Sequence, residues 1–296
     1  MTTTASLPTP AHQLSQSSPS PSTNPSDVNF QGLPVPRGPV TAPLSFFEAP
    51  ADGSKPHNYV EPLPNTPQRN FGDDWTDVTL QDLRGQEQNF TLDKSAFDTY
   101  QNVTSEEHDF TDDERIKRVY YPEVEKLILD RVDGAKRVVL FDHTIRRPTG
   151  NRNPVTRVHI DQTAASAAAR VRHHLPAEAE TLLQSRYRIL NVWRPLNGPV
   201  MALPLAVADS ATVSDADLIP IEHRYPDRNG ETAAVRYNKG QDWYHWSGMT
   251  NDERLLLLCF DSEKGGRVPH TAFVDPRTPE GAVGRESIEV RALVFG

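Results

Sequence analysis

What most limits the folds open to this chain is a succession of short β-branched and leucine-rich runs in its second half. RVVLF, RILNVW, PLAVA, LLLLCF and IEVRALVF follow one another, separated by proline, glycine and asparagine. Runs of that length bounded by turn residues read as strands. Only one alanine-rich stretch, ASAAARVRHHLPAEAETLL, has helical character between them, and no repeat of fixed period is visible. Roughly eight strands are expected after residue 135, without the alternating helices of a parallel sheet, which predicts a mainly β fold with flanking helices, an antiparallel barrel or sandwich.

The first half differs in composition. The N-terminus is rich in Ser, Thr and Pro and carries almost no large apolar side chain before Val28, too little to offset chain entropy. A disordered tail is therefore expected over residues 1–43 and a single folded domain over 44–296. Within that domain, residues 44–134 are expected to form an extended and helical covering region, and 135–296 the barrel core. FTDDERIKRVYYPEVEKLILDRV starts a helix at Thr111, with acidic residues at its positive end. Pro122 predicts a second helix or a kink, and Gly134 a stop before the strand AKRVVLFDHTIRR.

The chain has 296 residues and a formal net charge of −9, with its basic residues scattered. A phosphate-binding surface needs clustered cations, so nucleic acid is not an expected partner. Cys259 is the only cysteine, which excludes a disulfide framework or a thiolate zinc site. No stretch approaches a membrane span and no leader pattern opens the chain. A soluble cytoplasmic protein acting on small molecules is expected. Oligomeric state is not legible.

The segment RVHIDQT carries the chemistry. His159 and Asp161 lie two apart in an alternating stretch, and side chains two apart on a strand share a face. They can therefore bind one ion, and a further histidine would complete a set of ligands. His12 lies in the tail, His57 and His108 in polar loop or helix-start sequence, and His173 and His174 at a helix end. His143 and His223 are strand residues without an evident partner, and His245 sits among aromatics. His270, after a proline at the start of the next-to-last strand, is the favoured third ligand. Two histidines and a carboxylate on one face of the ion are the facial triad of non-haem iron(II) oxygenases. On the last strand, GRESIEVR sets Arg285 and Ser287 on one face in the R-x-S manner of 2-oxoglutarate oxygenases. An arginine fork meets a carboxylate with two charge-assisted bonds.

The stretches VHIDQT, NVWRPLNGPV with PLAVADS, DWYHWSGMTNDERLLLLCFDS, and PHTAFVDP through RESIEVR resemble, in order, the fungal hydroxylase/desaturase family of iron(II)/2-oxoglutarate-dependent oxygenases. That family includes gibberellin desaturase-like and 7-alpha-cephem-methoxylase-like proteins. The resemblance covers roughly half of the chain. It implies a double-stranded β-helix (jelly-roll) barrel and His159, Asp161 and His270 as catalytic iron ligands. It also implies Fe(II) as cofactor, 2-oxoglutarate and O2 as cosubstrates, and hydroxylation or desaturation of an unactivated C–H in a small secondary-metabolite substrate. Arg285 with Ser287 is favoured for the cosubstrate carboxylate, and Arg291, on the same face, stays open. Arg194, Trp193, Tyr187 and Trp246 are candidates for binding substrate, and Arg194 fits a strand-end salt bridge equally well. Two alternatives stand beside this reading: a cupin-like metal enzyme that does not use 2-oxoglutarate, and a catalytically silent barrel that acts as a binding module.

Overall fold

The computed structural model describes residues 31–150 and 153–296. In chain order its strands are β1 (Val40–Glu48), β2 (His57–Tyr59), β3 (Gly72–Asp82), β4 (Phe97–Tyr100), β5 (Arg137–Arg146), β6 (His159–Ile160) and β7 (Tyr187–Pro195). They continue as β8 (Leu205–Ala208), β9 (Leu218–Arg224), β10 (Asn229–Val235), β11 (Trp243–His245), β12 (Arg254–Asp261), β13 (His270–Ala272) and β14 (Ser287–Phe295). The helices are α1 (Leu92–Ser95), α2 (Asp113–Arg115), α3 (Tyr121–Arg131), α4 (Ala164–His174) and α5 (Ala179–Leu182).

The strands build a nine-stranded sheet in the order β1-β3-β11-β8-β13-β6-β10-β9-β2 and a five-stranded sheet in the order β4-β12-β7-β14-β5. Side chains of β6 and β13 in the first sheet and of β7 and β14 in the second line one cavity. The architecture is the expected jelly roll, two sheets wrapped about a shared interior. β7 is buried along its whole length, because β12 and β14 flank it on either side. Helices cover the smaller sheet: Val124 and Ile128 of α3 and Val171 of α4 join Leu190, Val192 and Val290 in one core, and each such side chain is worth about 1.5–3 kcal/mol when buried.

Most of the tail expected over residues 1–43 lies outside the described residues. Its last part belongs to the fold, since β1 begins at Val40. The segments expected as extended covering chain are sheet: β1 pairs with β3 from Val40↔Leu80 to Glu48↔Gly72. In β1, Val40, Ala42 and Leu44 are buried and their neighbours Thr41 and Pro43 exposed, the alternation of a strand with one face covered. At Pro122 the chain does not break: α3 begins there and follows α2 without a gap. A π-helical turn, Ile116–Tyr120, joins α2 to α3. Proline stands in the first turn of α3, where its missing N–H is tolerated, and the wider register ahead of it accommodates the ring. The turn at Asn238–Gly240 forms, with Gln241 N donating to Asn238 O at 3.0 Å, but it does not close a hairpin. β10 pairs with β6 and β9, and β11 with β3 and β8.

The segment before β1 is clipped to the barrel by a polar cluster. Buried Asp82, at the end of β3, accepts from Gly38 N at 2.8 Å, Arg84 N at 3.0 Å, Ser247 N at 3.1 Å and Ser247 Oγ at 2.6 Å. Burial would push its carboxyl up, but these four donors hold it below the usual carboxylate value.

Candidate metal centre

The barrel presents the sequence feature HID at its wall. β6 is only two residues long and lies between β13 and β10, with His159 opposite His270 in register. The two imidazole rings are 4.4 Å apart. Asp161 follows in the bend after β6 and not in a continuing strand. What fixes that bend is the start of α4. Thr163 accepts from Ser166 N, and the Ser166 hydroxyl accepts from Thr163 N, a capping box two residues beyond the carboxylate.

His159 Nε2 lies 3.3 Å from Asp161 Oδ1, and His270 Nε2 4.0 Å from the same oxygen. Each residue of this trio offers a ligand atom within 4.8 Å of the others, compact enough for one ion. The far side of each imidazole is committed: His159 Nδ1 donates to Arg157 O at 2.9 Å and His270 Nδ1 to Val268 O at 3.1 Å. A carbonyl only accepts, so Nδ1 carries the proton and Nε2 keeps a lone pair turned toward Asp161. Burial, and then the charge of His159, push His270 down to about 4 against the opposing pull of Asp161, so it is neutral at pH 7 and fit to ligate. Burial pushes the Asp161 carboxyl up, but protonation of His159 or His270 would set an N–H or a positive charge against it, and these with the charge of Arg291 outweigh burial and hold the group well below the usual range. The trio thus pairs two neutral-capable nitrogens with one anionic oxygen, the donor set of a mid-sized divalent metal with open positions.

The cavity beside the trio is lined by Arg146, Trp193, Leu205, Arg285 and Glu289 among others. Arg285 is buried with its guanidinium 5.2 Å from the Trp193 ring. Nη1 donates to Leu203 O at 2.6 Å, while Nε finds no hydrogen-bond partner. Burial and the neighbouring Arg146 lower it to about 10, so it stays cationic at neutral pH with no described carboxylate paired to it. Ser287 lies buried at the start of β14, opposite Arg146 and Pro195. Arg291 faces the same interior but is engaged, gripping Asp142 through Nε at 2.6 Å and Nη2 at 2.5 Å.

Of the four residues considered for substrate, the cavity takes Trp193 alone. Arg194, its neighbour on β7, points the other way by strand alternation; it lies over Phe110 and donates to Asn251 O at 2.9 Å. Tyr187 packs on Phe260 at the far end of β7, and Trp246 donates to Glu87 beneath the Arg84 guanidinium.

Sequence reasoning did not single out Glu289, Arg146 or Asn191. Glu289 lines the cavity and accepts no hydrogen bond from any described residue. Burial, then the charge of Asp161, push it up to about 7 against Arg291, Arg146 and His159. Its signal was parity, since 285, 287, 289 and 291 fall on one face of a strand.

A family model described as an oxidoreductase/YMDC permease-like domain matches residues 44–295. Among characterised relatives, the hydroxylase/desaturase poxK of Penicillium oxalicum is 38% identical over 304 residues, covering 88% of this chain and 93% of its own. The Fe(II)/2-oxoglutarate-dependent dioxygenase nvfI of Aspergillus novofumigatus is 36% identical over 268 residues, covering 85% and 95%. A solved structure of the iron and alpha-ketoglutarate-dependent endoperoxidase NvfI superposes with a TM-score of 0.81 at 31% identity, covering 88% of this chain and 99% of that one.

Proposed function

The chain belongs to the fungal hydroxylase/desaturase family of iron(II)/2-oxoglutarate-dependent oxygenases, and from that premise we propose that His159, Asp161 and His270 hold its iron and Arg285 its cosubstrate. The protein is an oxygenase acting on a small molecule, with Fe(II) as cofactor and 2-oxoglutarate and O2 as cosubstrates. Bound iron(II) supplies the O2-dependent oxidising power that removes hydrogen from an unactivated C–H, leaving a hydroxyl or an alkene. The observation that carries the ligand assignment is the pair of imidazoles whose Nδ1 atoms are spent on backbone carbonyls while both Nε2 atoms converge on one carboxylate oxygen.

The chain's own residues do the rest. Arg285 offers at the cavity wall a guanidinium with no carboxylate paired to it among the described residues, and its fork suits the distal carboxylate of 2-oxoglutarate. Arg291 already grips Asp142, so recruiting it would break a bidentate pair. The buried position of Arg285 removes competing water and strengthens the attraction. Trp193 and Leu205 give the cavity the apolar walls that exclude solvent from the reacting carbon. We place the enzyme in the cytoplasm, without a nucleic-acid or membrane partner. The acidic net charge of −9 disfavours binding to nucleic-acid phosphates, and among the described residues no helix is long and apolar enough to cross a membrane.

Anaerobic titration of the metal-free protein with iron(II) and 2-oxoglutarate tests the assignment, through the visible charge-transfer band of the chelated keto acid. Arg285→Ala should weaken 2-oxoglutarate about 10- to 100-fold, the worth of a lost bidentate charge pair, and Arg291→Ala by less than about threefold. The reverse order would transfer the role to Arg291. Iron binding without the band would favour a metal enzyme that does not use 2-oxoglutarate.

A further inference from the structure

Asn191 stands out in β7 because nothing about the strand requires it. RILNVW is apolar on both sides of the amide, and Asn191 is fully buried, opposite Leu257 of β12 and Arg291 of β14. Its Nδ2 donates to Asp161 Oδ2 at 2.7 Å, across the barrel from one sheet to the other. Its own Oδ1 has no hydrogen-bond partner. A buried amide with one end orphaned is a cost to folding. A leucine of similar shape would suit its cross-strand neighbour Leu257 better.

The amide's orientation follows from its partner. An ionised carboxylate only accepts, so the NH2 end must face Asp161 and the carbonyl end is left in the core. The consequence for Asp161 is asymmetry. Oδ2 is held by Asn191, with Cys259 Sγ 3.9 Å away, whereas Oδ1 faces both Nε2 atoms at 3.3 and 4.0 Å. With the capping box fixing the backbone just beyond, the carboxylate plane has little freedom to turn.

We propose that Asn191 is the positioning residue of the metal centre: by tethering Oδ2 from the opposite sheet, it presents Asp161 as a one-oxygen ligand through Oδ1. This rests on the assignment of His159, Asp161 and His270 as ligands. Partners of this kind, behind a ligand, change metal affinity about 10- to 100-fold when removed.

Titration of the full chain with Co(II) alone, read by its visible ligand-field bands, tests the role without any turnover. Asn191→Leu should bind Co(II) about 10- to 100-fold more weakly than wild type, with displaced bands, while the metal-free variant keeps the wild-type circular dichroism. A folded Asn191→Leu with unchanged affinity and bands overturns the inference and leaves the ligand assignment standing. Failure of the wild type itself to bind Co(II) overturns the assignment beneath it. Should Asn191→Leu not fold, a crystal structure of the wild type with Mn(II) decides. Coordination through Oδ1 with Oδ2 still on Asn191 supports the role, and coordination through Oδ2 or through both oxygens overturns it.

Discussion

Asp82, buried, and Asp161, half-buried, both lie near the end of a strand of the larger sheet, yet they are built in opposite ways. Asp82 is saturated, with two backbone N–H groups, a third from Ser247 and the Ser247 hydroxyl filling its acceptor sites. Asp161 has one amide on Oδ2 and leaves Oδ1 to two imidazoles that also have capacity to spare. Around it stand further groups with bonds unmade: Arg285 Nε, Asn191 Oδ1 and the Glu289 carboxylate. A saturated cluster has nothing left to offer a ligand and serves the fold. An under-satisfied one, kept in a low-dielectric wall, is costly unless something arrives to complete it.

Substitution at the two aspartates should separate these roles most sharply. Asp161→Ala should abolish iron(II) binding and lower turnover by about a thousandfold or more, since no other described carboxylate lies within reach of both Nε2 atoms. Its metal-free thermal midpoint should fall by less than that of Asp82→Ala, because one amide and not four donors loses its acceptor. Iron titration and calorimetry on one preparation check both halves, and retained turnover would end the ligand assignment. Asp82→Ala should do the converse. Four donors lose their acceptor at once, for about 3 kcal/mol of stability, read as a lower denaturation midpoint, while the surviving folded fraction binds iron as before.

A smaller effect concerns Glu289. Its carboxyl is raised to about 7 in the folded protein, above its value in an unfolded chain. The group therefore favours folding fully below its ordinary pKa, and that contribution is lost as pH rises through about 7. Glu289→Gln, neutral throughout, should match wild type in stability at pH 5 and exceed it at pH 8.5 by about 1 kcal/mol, allowing for partial solvent contact. Denaturant unfolding of the metal-free proteins at the two pH values measures it, and equal stability at both would show that Glu289 is ionised without cost.

The same contrast explains what could be read in the chain. β7, β12 and β14 were legible because their apolar runs are buried by neighbours on both sides, which leaves a local signature, and β5, at the sheet edge, through its β-branched run RVVLF. β1 and β3 were not. Their prolines, charges and half-exposed faces look like covering chain until the partner strand is known. The separation of β10 from β11 is likewise decided by what each strand pairs with, not by the turn between them. At the site, His159 and Asp161 were visible through their spacing and Arg285 through R-x-S. Trp193 and Arg194 could not both face inward, and which one did depended on the phase of β7. Asn191 left one trace, an amide between the apolar pairs Ile189–Leu190 and Val192–Trp193, which on sequence alone is indistinguishable from a tolerated blemish.

β6 is two residues long and held only by its neighbours. A slip of one position against β13 would turn His159 out of the barrel and Ile160 into it. The strands that hold the register come from distant parts of the chain, and the tether on Asp161 comes from the other sheet. The centre therefore has no local precursor: His159 and His270 meet only when β6 has paired with β13, and Asp161 gains its tether only when β7 closes against them. A fully ordered metal site is in this sense a certificate of assembly, complete only when the second sheet has joined the first. A reactive metal is thereby held in full only by chains that have built the walls to contain its chemistry.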